Sequence, residues 1–206
     1  GSVNLAGSPY GTFPSWSLAL TQRLAEHWSA DANATRSMRL PTFTDLYYTN
    51  ATHIGNPNLK PEHATTYQLG TRYTQDRFRA GVAGYYRHGK DIIDYVQTET
   101  PEGMKWKSTQ LTELNTYGVE AQASYRGRKF LRHITVSYGW MSSSKASDAY
   151  LTKYALDYMK HKVAAQCGIN IWNGLSAEVT ASWYCRNNTS TATYTPYWLL
   201  DARLQW

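Results

Sequence analysis

The stretch "IGNPNLKPEHATTYQLGTRY", residues 54–73, changes character halfway along. Its front, Gly55-Asn56-Pro57-Asn58, is turn chemistry. Gly and Asn tolerate positive φ, while Pro57 and Pro61 fix φ and remove backbone donors. Its back alternates. Tyr67, Leu69, Thr71 and Tyr73 point one way, and Thr66, Gln68, Gly70 and Arg72 point the other. Such a period of two describes a strand with a different solvent on each face.

The same rhythm fills most of the chain. Tyr117, Val119, Ala121, Ala123 and Tyr125 oppose Gly118, Glu120, Gln122, Ser124 and Arg126. Ile134, Val136, Tyr138 and Trp140 oppose Thr135, Ser137 and Gly139. Near the end, Trp198, Leu200, Ala202, Leu204 and Trp206 oppose Asp201, Arg203 and Gln205. The pattern predicts an all-β chain, an antiparallel up-and-down meander of about nine long strands over residues 16–24, 28–40, 63–73, 78–90, 112–126, 132–142, 158–171, 175–186 and 197–206. In the segment 150–162, Tyr150, Tyr154 and Tyr158 are spaced by four, as in a short helix. Strand onset near Tyr158 fits the following alternation better.

Two features favour part of a transmembrane β-barrel over a soluble sheet. Many of these segments run ten or more residues, whereas strands in soluble sheets usually run about five or six. Short connections (25–27, 74–77, 127–131, 172–174) also alternate with long ones (41–62, 91–111, 143–157, 187–196). In a meander this places all the long loops at one end. Aromatic composition agrees. Against 4 Phe stand 17 Tyr and 8 Trp, whose polar tips suit a boundary between water and hydrocarbon. Trp16, Trp28, Tyr73, Phe78, Tyr125, Trp140, Trp183, Trp198 and Trp206 fall near the ends of the apolar rows, where two girdles belong. The alternative is a small self-contained barrel or sandwich that binds carbohydrate or protein.

At the turn 172–174, direct partners must share a face. Ile171 is therefore expected to pair with Leu175, with Gly174 in the left-handed position. That register puts Cys167 opposite Val179 and Cys185 opposite His161. The two thiols are then too far apart for a disulfide. The net charge of +6 is scattered without a basic run, so no nucleic-acid partner is expected. The six histidines show no metal spacing. No nucleophile–base pair or phosphate loop supports an enzyme, and no cofactor is expected. Asp91, Asp94, Glu99 and Glu102 could offer carboxylates to a calcium ion in a loop.

"RSMRLPTFTDLYY", residues 36–48, then "GNPNLKPE", residues 55–62, and "NTYGVEAQASY", residues 115–125, resemble the barrel of TonB-dependent outer-membrane receptors. The matching positions are Arg39, Pro41, Asp45, Leu46, Tyr47, Gly55, Asn56, Pro57, Leu59, Pro61, Glu62, Gly118 and Glu120, for which a structural role is expected. The resemblance implies a cell outer membrane location in contact with lipid. It also implies a barrel of 22 strands around an N-terminal plug, and uptake of a scarce nutrient such as a metal chelate, cobalamin or haem. Neither a plug nor a segment for the inner-membrane TonB complex is expected within residues 1–206, whose last stretch is "YWLLDARLQW". The chain is expected to be a partial barrel domain over 1–206, an interior to C-terminal slice that lacks the last strands. Such a slice is not transport-competent by itself and is expected to self-associate through its strand edges. Glu120, on the polar face, could pair with Arg72 or Arg126. Contacts to the nutrient are expected from long-loop residues, with Tyr47, Tyr48, His53, Trp106, Tyr150 and Tyr194 as candidates.

Overall fold

The computed structural model describes residues 2–8, 11–145, 155–189 and 192–206. One sheet runs through nearly all of them. Its strands are β1 (Ser2–Ser8), β2 (Gly11–Arg23), β3 (Trp28–Arg39), β4 (His53–Ile54), β5 (Glu62–Gln75), β6 (Phe78–Thr100), β7 (Gly103–Arg126), β8 (Leu131–Lys145), β9 (Met159–Trp172), β10 (Leu175–Arg186) and β11 (Tyr197–Gln205). All but β4 pair with their chain neighbours in an antiparallel meander, in the order β1-β2-β3-β5-β6-β7-β8-β9-β10-β11. β4 lies off this path, parallel to β7. Among the described residues the one helix, α1 (Phe43–Tyr47), follows β3.

The meander thus has ten strands instead of about nine. The additional one is β1, whose small and polar residues give no alternation to read; it pairs with Gly11–Ser17 of β2. β2 begins before Trp16 and passes through Pro14. The β2–β3 ladder starts only at Trp16↔Arg36, so Pro14 removes no donor from that ladder. A second correction concerns residues 91–111. They form no open loop but continue β6 and β7 as a hairpin, giving strands of 23 and 24 residues. A bilayer needs about ten per strand, so the upper half stands beyond the membrane. Ile92, Ile93, Tyr95 and Val96 supply the β-forming side chains. The bend at Asp91, with φ +55°, turns the extension without slipping its register.

Register assigns the two faces. Tyr67↔Tyr86↔Tyr117, Leu69↔Gly84↔Val119 and Tyr73↔Ala80↔Ala123 are direct partners across β5, β6 and β7, so they share one face as the alternation predicts. That face is apolar and open: Leu69 is 70% exposed and Leu200 74%. The opposite face carries Asp31, Gln68, Arg72, Glu120, Gln122 and Lys162 around a concavity of about 860 Å³. Among the described residues the buried apolar side chains are Leu46, Leu59, Ala64, Ile93, Val96 and Leu111, all at the long-loop end. The wall itself has no second layer against it among the described residues, which excludes a sandwich. A single sheet with one open apolar face and one polar concave face has the form of a transmembrane barrel wall.

Aromatic side chains bound this face along the strand axis. At the short-turn end, Tyr73 lies between Trp28, 5.0 Å away by ring centroids, and Phe78, 6.1 Å away. At the other end, the Tyr86 and Tyr117 rings stack at 4.9 Å. The belts stand six to eight residues apart along β5 and β7, about 20–27 Å of strand, which suits a tilted crossing. The β9–β10 turn follows expectation except at its neck. Gly174 has φ +85°, Val179 pairs with Cys167, and Cys185 pairs with His161. Leu175, however, pairs with Trp172 and Ser176 with Asn170, so Ile171 bulges out where it was expected to pair with Leu175. The bulge lets the hairpin close in two residues and restores the shared face beyond it. Both cysteines are free.

Candidate functional site

The long-loop rim is built on the turn stretch of residues 55–62 and the end of β3. Thr42 caps α1. Its hydroxyl accepts the Asp45 amide at 3.1 Å, and the Asp45 carboxylate accepts the Thr42 amide at 2.9 Å and its hydroxyl at 2.8 Å. Arg39 then ties three segments together. Its Nε and Nη2 donate to the two Glu62 carboxylate oxygens at 2.9 and 2.6 Å, and its Nη1 lies 3.5 Å from Asp45. These bonds, to Glu62 first, raise the Arg39 pKa above its ordinary value. Glu62 also accepts the Ile93 amide at 2.7 Å, which fastens the β6 extension to the same point.

Packing explains the remaining letters of the stretch. A Cβ on Gly55 would sit 2.7 Å from the Leu46 carbonyl oxygen, so the chain crosses α1 there only as glycine. The Asn56 amide donates to the Asp45 carbonyl at 2.9 Å. Pro41 and Pro61 are buried, and Leu46, Leu59 and Ile93 form the apolar cluster beneath. Pro57 is exposed at the turn tip. In the later motif, Gly118 and Glu120 share the polar face, and Glu120 lines the concavity. The Tyr85 ring lies against Gly118, where a Cβ would run into ring carbon and the hydroxyl. Glu120 makes no ion pair among the described residues, with Arg72 or with Arg126. Arg72 is two strands away in a different row, and Arg126 lies about 20 Å along the same strand.

The candidate ligand residues fall into two groups. Tyr47, 58% exposed, packs on Phe43 at 5.2 Å, and the Tyr48 hydroxyl accepts from Asn50 at 3.0 Å. His53 pairs with Trp106 across the parallel β4–β7 contact, and its ring meets Tyr95 at 5.5 Å. These four therefore share one side of the rim, around the β6–β7 hairpin. Tyr194 stands in the other group. Its hydroxyl donates to Asp157 at 2.9 Å, a bond that raises its pKa, and the Arg186 guanidinium lies 5.0 Å from its ring. Tyr150 lies outside the described residues.

The carboxylates considered for calcium do not converge. Asp94 is buried and accepts the Ala155 amide at 2.6 Å and the Tyr95 amide at 2.7 Å. Glu102 pairs with Lys105 at 2.5 Å, which lowers its pKa. Among the described residues no cluster suits a metal ion. Sequence reading missed Gln110. Its side-chain amide accepts the Lys60 amide at 3.0 Å and donates to the Lys60 carbonyl at 2.7 Å, strapping the hairpin to the turn stretch. No local signal marks a contact that spans fifty residues.

Residues 2–206 match the family model described as TonB dependent receptor-like, beta-barrel. The curated relatives include a vitamin B12 transporter BtuB of Photobacterium profundum, 29% identical over 158 residues. That match covers 75% of this chain and 25% of the relative. Another is the vitamin B12 transporter BtuB of Vibrio vulnificus (strain YJ016), 27% identical over 149 residues, 72% of this chain and 23% of the relative. The chain therefore spans about a quarter of the length of the curated relatives it matches. Among solved structures, the copper transporter OprC superposes with a TM-score of 0.75 at 16% identity, over 97% of this chain and 34% of that one. The siderophore receptor PirA of Pseudomonas aeruginosa gives 0.71 at 18% identity, over 96% and 34%. At such identities the likeness is one of fold.

Proposed function

The chain belongs to the TonB-dependent receptor-like β-barrel family of the outer membrane, and from that membership we propose that it is a ten-strand portion of a receptor that takes up a scarce nutrient. A corrinoid is the first candidate. The observation that carries this reading is the two-faced wall: an outward apolar band between aromatic belts, and a polar concave face lined by Asp31, Arg72, Glu120 and Lys162. A wall of that kind separates lipid from a hydrated passage. The curated relatives named as vitamin B12 transporters favour the corrinoid over a ferric chelate or haem.

In this reading the chain is a partial barrel domain. A plug and the segment that engages the inner-membrane TonB complex belong to the rest of the receptor, and this portion alone does not transport. The rim residues Arg39, Asp45 and Glu62 hold the loops in place, while Tyr47, Tyr48, His53 and Trp106 present aromatic surface to the incoming solute. β1 and β11 each leave one edge unpaired within the described sheet. In the whole barrel those edges meet further strands, and in the isolated chain they meet a second copy. The reading is tested by expressing the full-length receptor in cells that lack their own corrinoid receptor, with corrinoid limiting. Growth restored by corrinoid supports it. Restoration only by a ferric chelate or haem replaces the corrinoid, and growth with none of them overturns nutrient uptake.

A further inference from the structure

The β6–β7 hairpin divides the rim in two. Beyond Asp91, Ile93 and Tyr95 point toward the turn stretch. Ile93 packs with Leu46 and Leu59, and Tyr95 meets the His53 ring at 5.5 Å. Asp94 and Val96 alternate with them and face the other way. Both are buried, at 3% and 6% exposure. On that side lies the segment 155–158. Asp94 Oδ2 accepts the Ala155 amide at 2.6 Å, while Oδ1 accepts the Tyr95 amide at 2.7 Å. A carboxylate buried this deeply is tolerated only when donors fill its oxygens.

From Ala155 the hydrogen bonds continue. Asn187 donates its side-chain amide to the Leu156 carbonyl and its backbone amide to the Tyr158 carbonyl, each at 2.9 Å. Asp157 accepts Arg186 Nε at 3.1 Å, Arg186 Nη2 at 2.9 Å and the Tyr194 hydroxyl at 2.9 Å. The opposite face of the hairpin is fastened through Glu62 to the Ile93 amide and through Gln110 to Lys60. One chain of bonds thus runs from Lys60 and Glu62 through the hairpin to Tyr194, and Asp94 is its middle link. We propose that Asp94 is a positioning residue for solute capture. It sets the spacing between the Tyr47, Tyr48, His53 and Trp106 side of the rim and the Tyr194 side, so that one solute touches both without first having to order them. The inference rests on the reading of this rim as the solute-facing end of a nutrient receptor.

The test uses the full-length receptor with its own cysteines replaced and spin labels at Glu99→Cys on the hairpin and Thr195→Cys beside Tyr194, both exposed positions. Double electron–electron resonance should give a narrow distance distribution in the parent and one at least about twofold broader in Asp94→Ala. Asp94→Asn keeps a carbonyl that accepts the Ala155 amide and should restore the narrow form. Affinity for cobalamin, measured on the unlabelled variants, should fall about tenfold in Asp94→Ala and return to within about threefold in Asp94→Asn. If Asp94→Ala does not assemble, Asp94→Ser, too short to reach Ala155, should behave in the same way. An unchanged distribution, or a broadened one with unchanged affinity, would overturn the proposal. So would an equal loss of affinity in Asp94→Asn with the distance kept, which makes Asp94 a direct solute contact instead. A parent that does not bind cobalamin sinks the corrinoid reading alone, because the distances are measured without solute and still decide whether Asp94 is the joint.

Discussion

Replacing Glu62 by alanine should loosen the rim without unfolding the wall. Its carboxylate accepts three hydrogen bonds, from Arg39 Nε at 2.9 Å, Arg39 Nη2 at 2.6 Å and the Ile93 amide at 2.7 Å. A bond to a charged group contributes about 1.5–3 kcal/mol in a protected site. The Arg39 side chain is 47% exposed, so water replaces much of what it loses, and about 1 kcal/mol is the reasonable share for that pair. The Ile93 amide is different. It lies in a residue only 9% exposed, and an orphaned buried N–H costs about 1–3 kcal/mol. Together these give about 2–4 kcal/mol, or roughly 30- to 1000-fold in a local opening equilibrium. The assay is amide hydrogen exchange on the full-length receptor, read over residues 44–48 and 92–96 against the wall strands. Glu62→Gln keeps an acceptor for Ile93 and should fall near about 1–2 kcal/mol. The reasoning is refuted if Glu62→Ala leaves exchange in both segments within about threefold of the parent, or accelerates β8 and β9 equally.

Four further outcomes follow from the same geometry. Gly118→Ala should displace the Tyr85 ring and destabilise the barrel by about 1–3 kcal/mol, and adding Tyr85→Ala should recover most of it in a denaturant titration. Asp45→Ala removes half of the capping box and should cost about 1 kcal/mol, seen as faster exchange in α1 alone. Gln110→Ala should free the Lys60 amide, raising its exchange about fivefold, while the Arg39–Glu62 pair stays intact. Val179→Cys should oxidise readily onto its direct partner Cys167, whereas the parent chain forms no Cys167–Cys185 bridge. Non-reducing peptide mapping distinguishes the two.

The wall was legible because its two solvents impose a strict period. Once Tyr67 and Leu69 face lipid, every strand that pairs with β5 inherits its phase, and the pairing of Val179 with Cys167 below the Gly174 turn follows from the same rule. Legibility failed where the constraint lapses. The bulge at Ile171 sits at the turn itself, where one residue can leave the ladder without disturbing the rows beyond it. β1 is short and rich in small residues, so nothing in its letters distinguishes inside from outside. The hairpin beyond Asp91 leaves the apolar band and buries Ile93, Val96 and Leu111 at the long-loop end, where Ile93 packs with Leu46 and Leu59. Its β-branched residues spell a strand, but its alternation no longer sorts lipid from lumen. The rim was half legible. Arg39, Asp45 and Glu62 were marked only by the resemblance to the receptor barrels, and the contact of Glu62 with Ile93 joins segments about thirty residues apart. Only the folded chain brings those together.

The alternation has one more consequence, for the journey that precedes folding. An outer-membrane chain must first pass through the inner membrane without lodging there, and what lodges is a continuous apolar segment of about twenty residues. Interleaving each lipid-facing side chain with a polar one keeps the mean hydropathy at −0.56 and leaves no such segment in these residues. Leu18, Leu69, Val136 and Leu200 become a hydrocarbon surface only after neighbouring strands have zipped together and aligned their rows. The unpaired chain thus travels as a polar polymer, and the affinity for lipid switches on with the hydrogen-bond ladder itself.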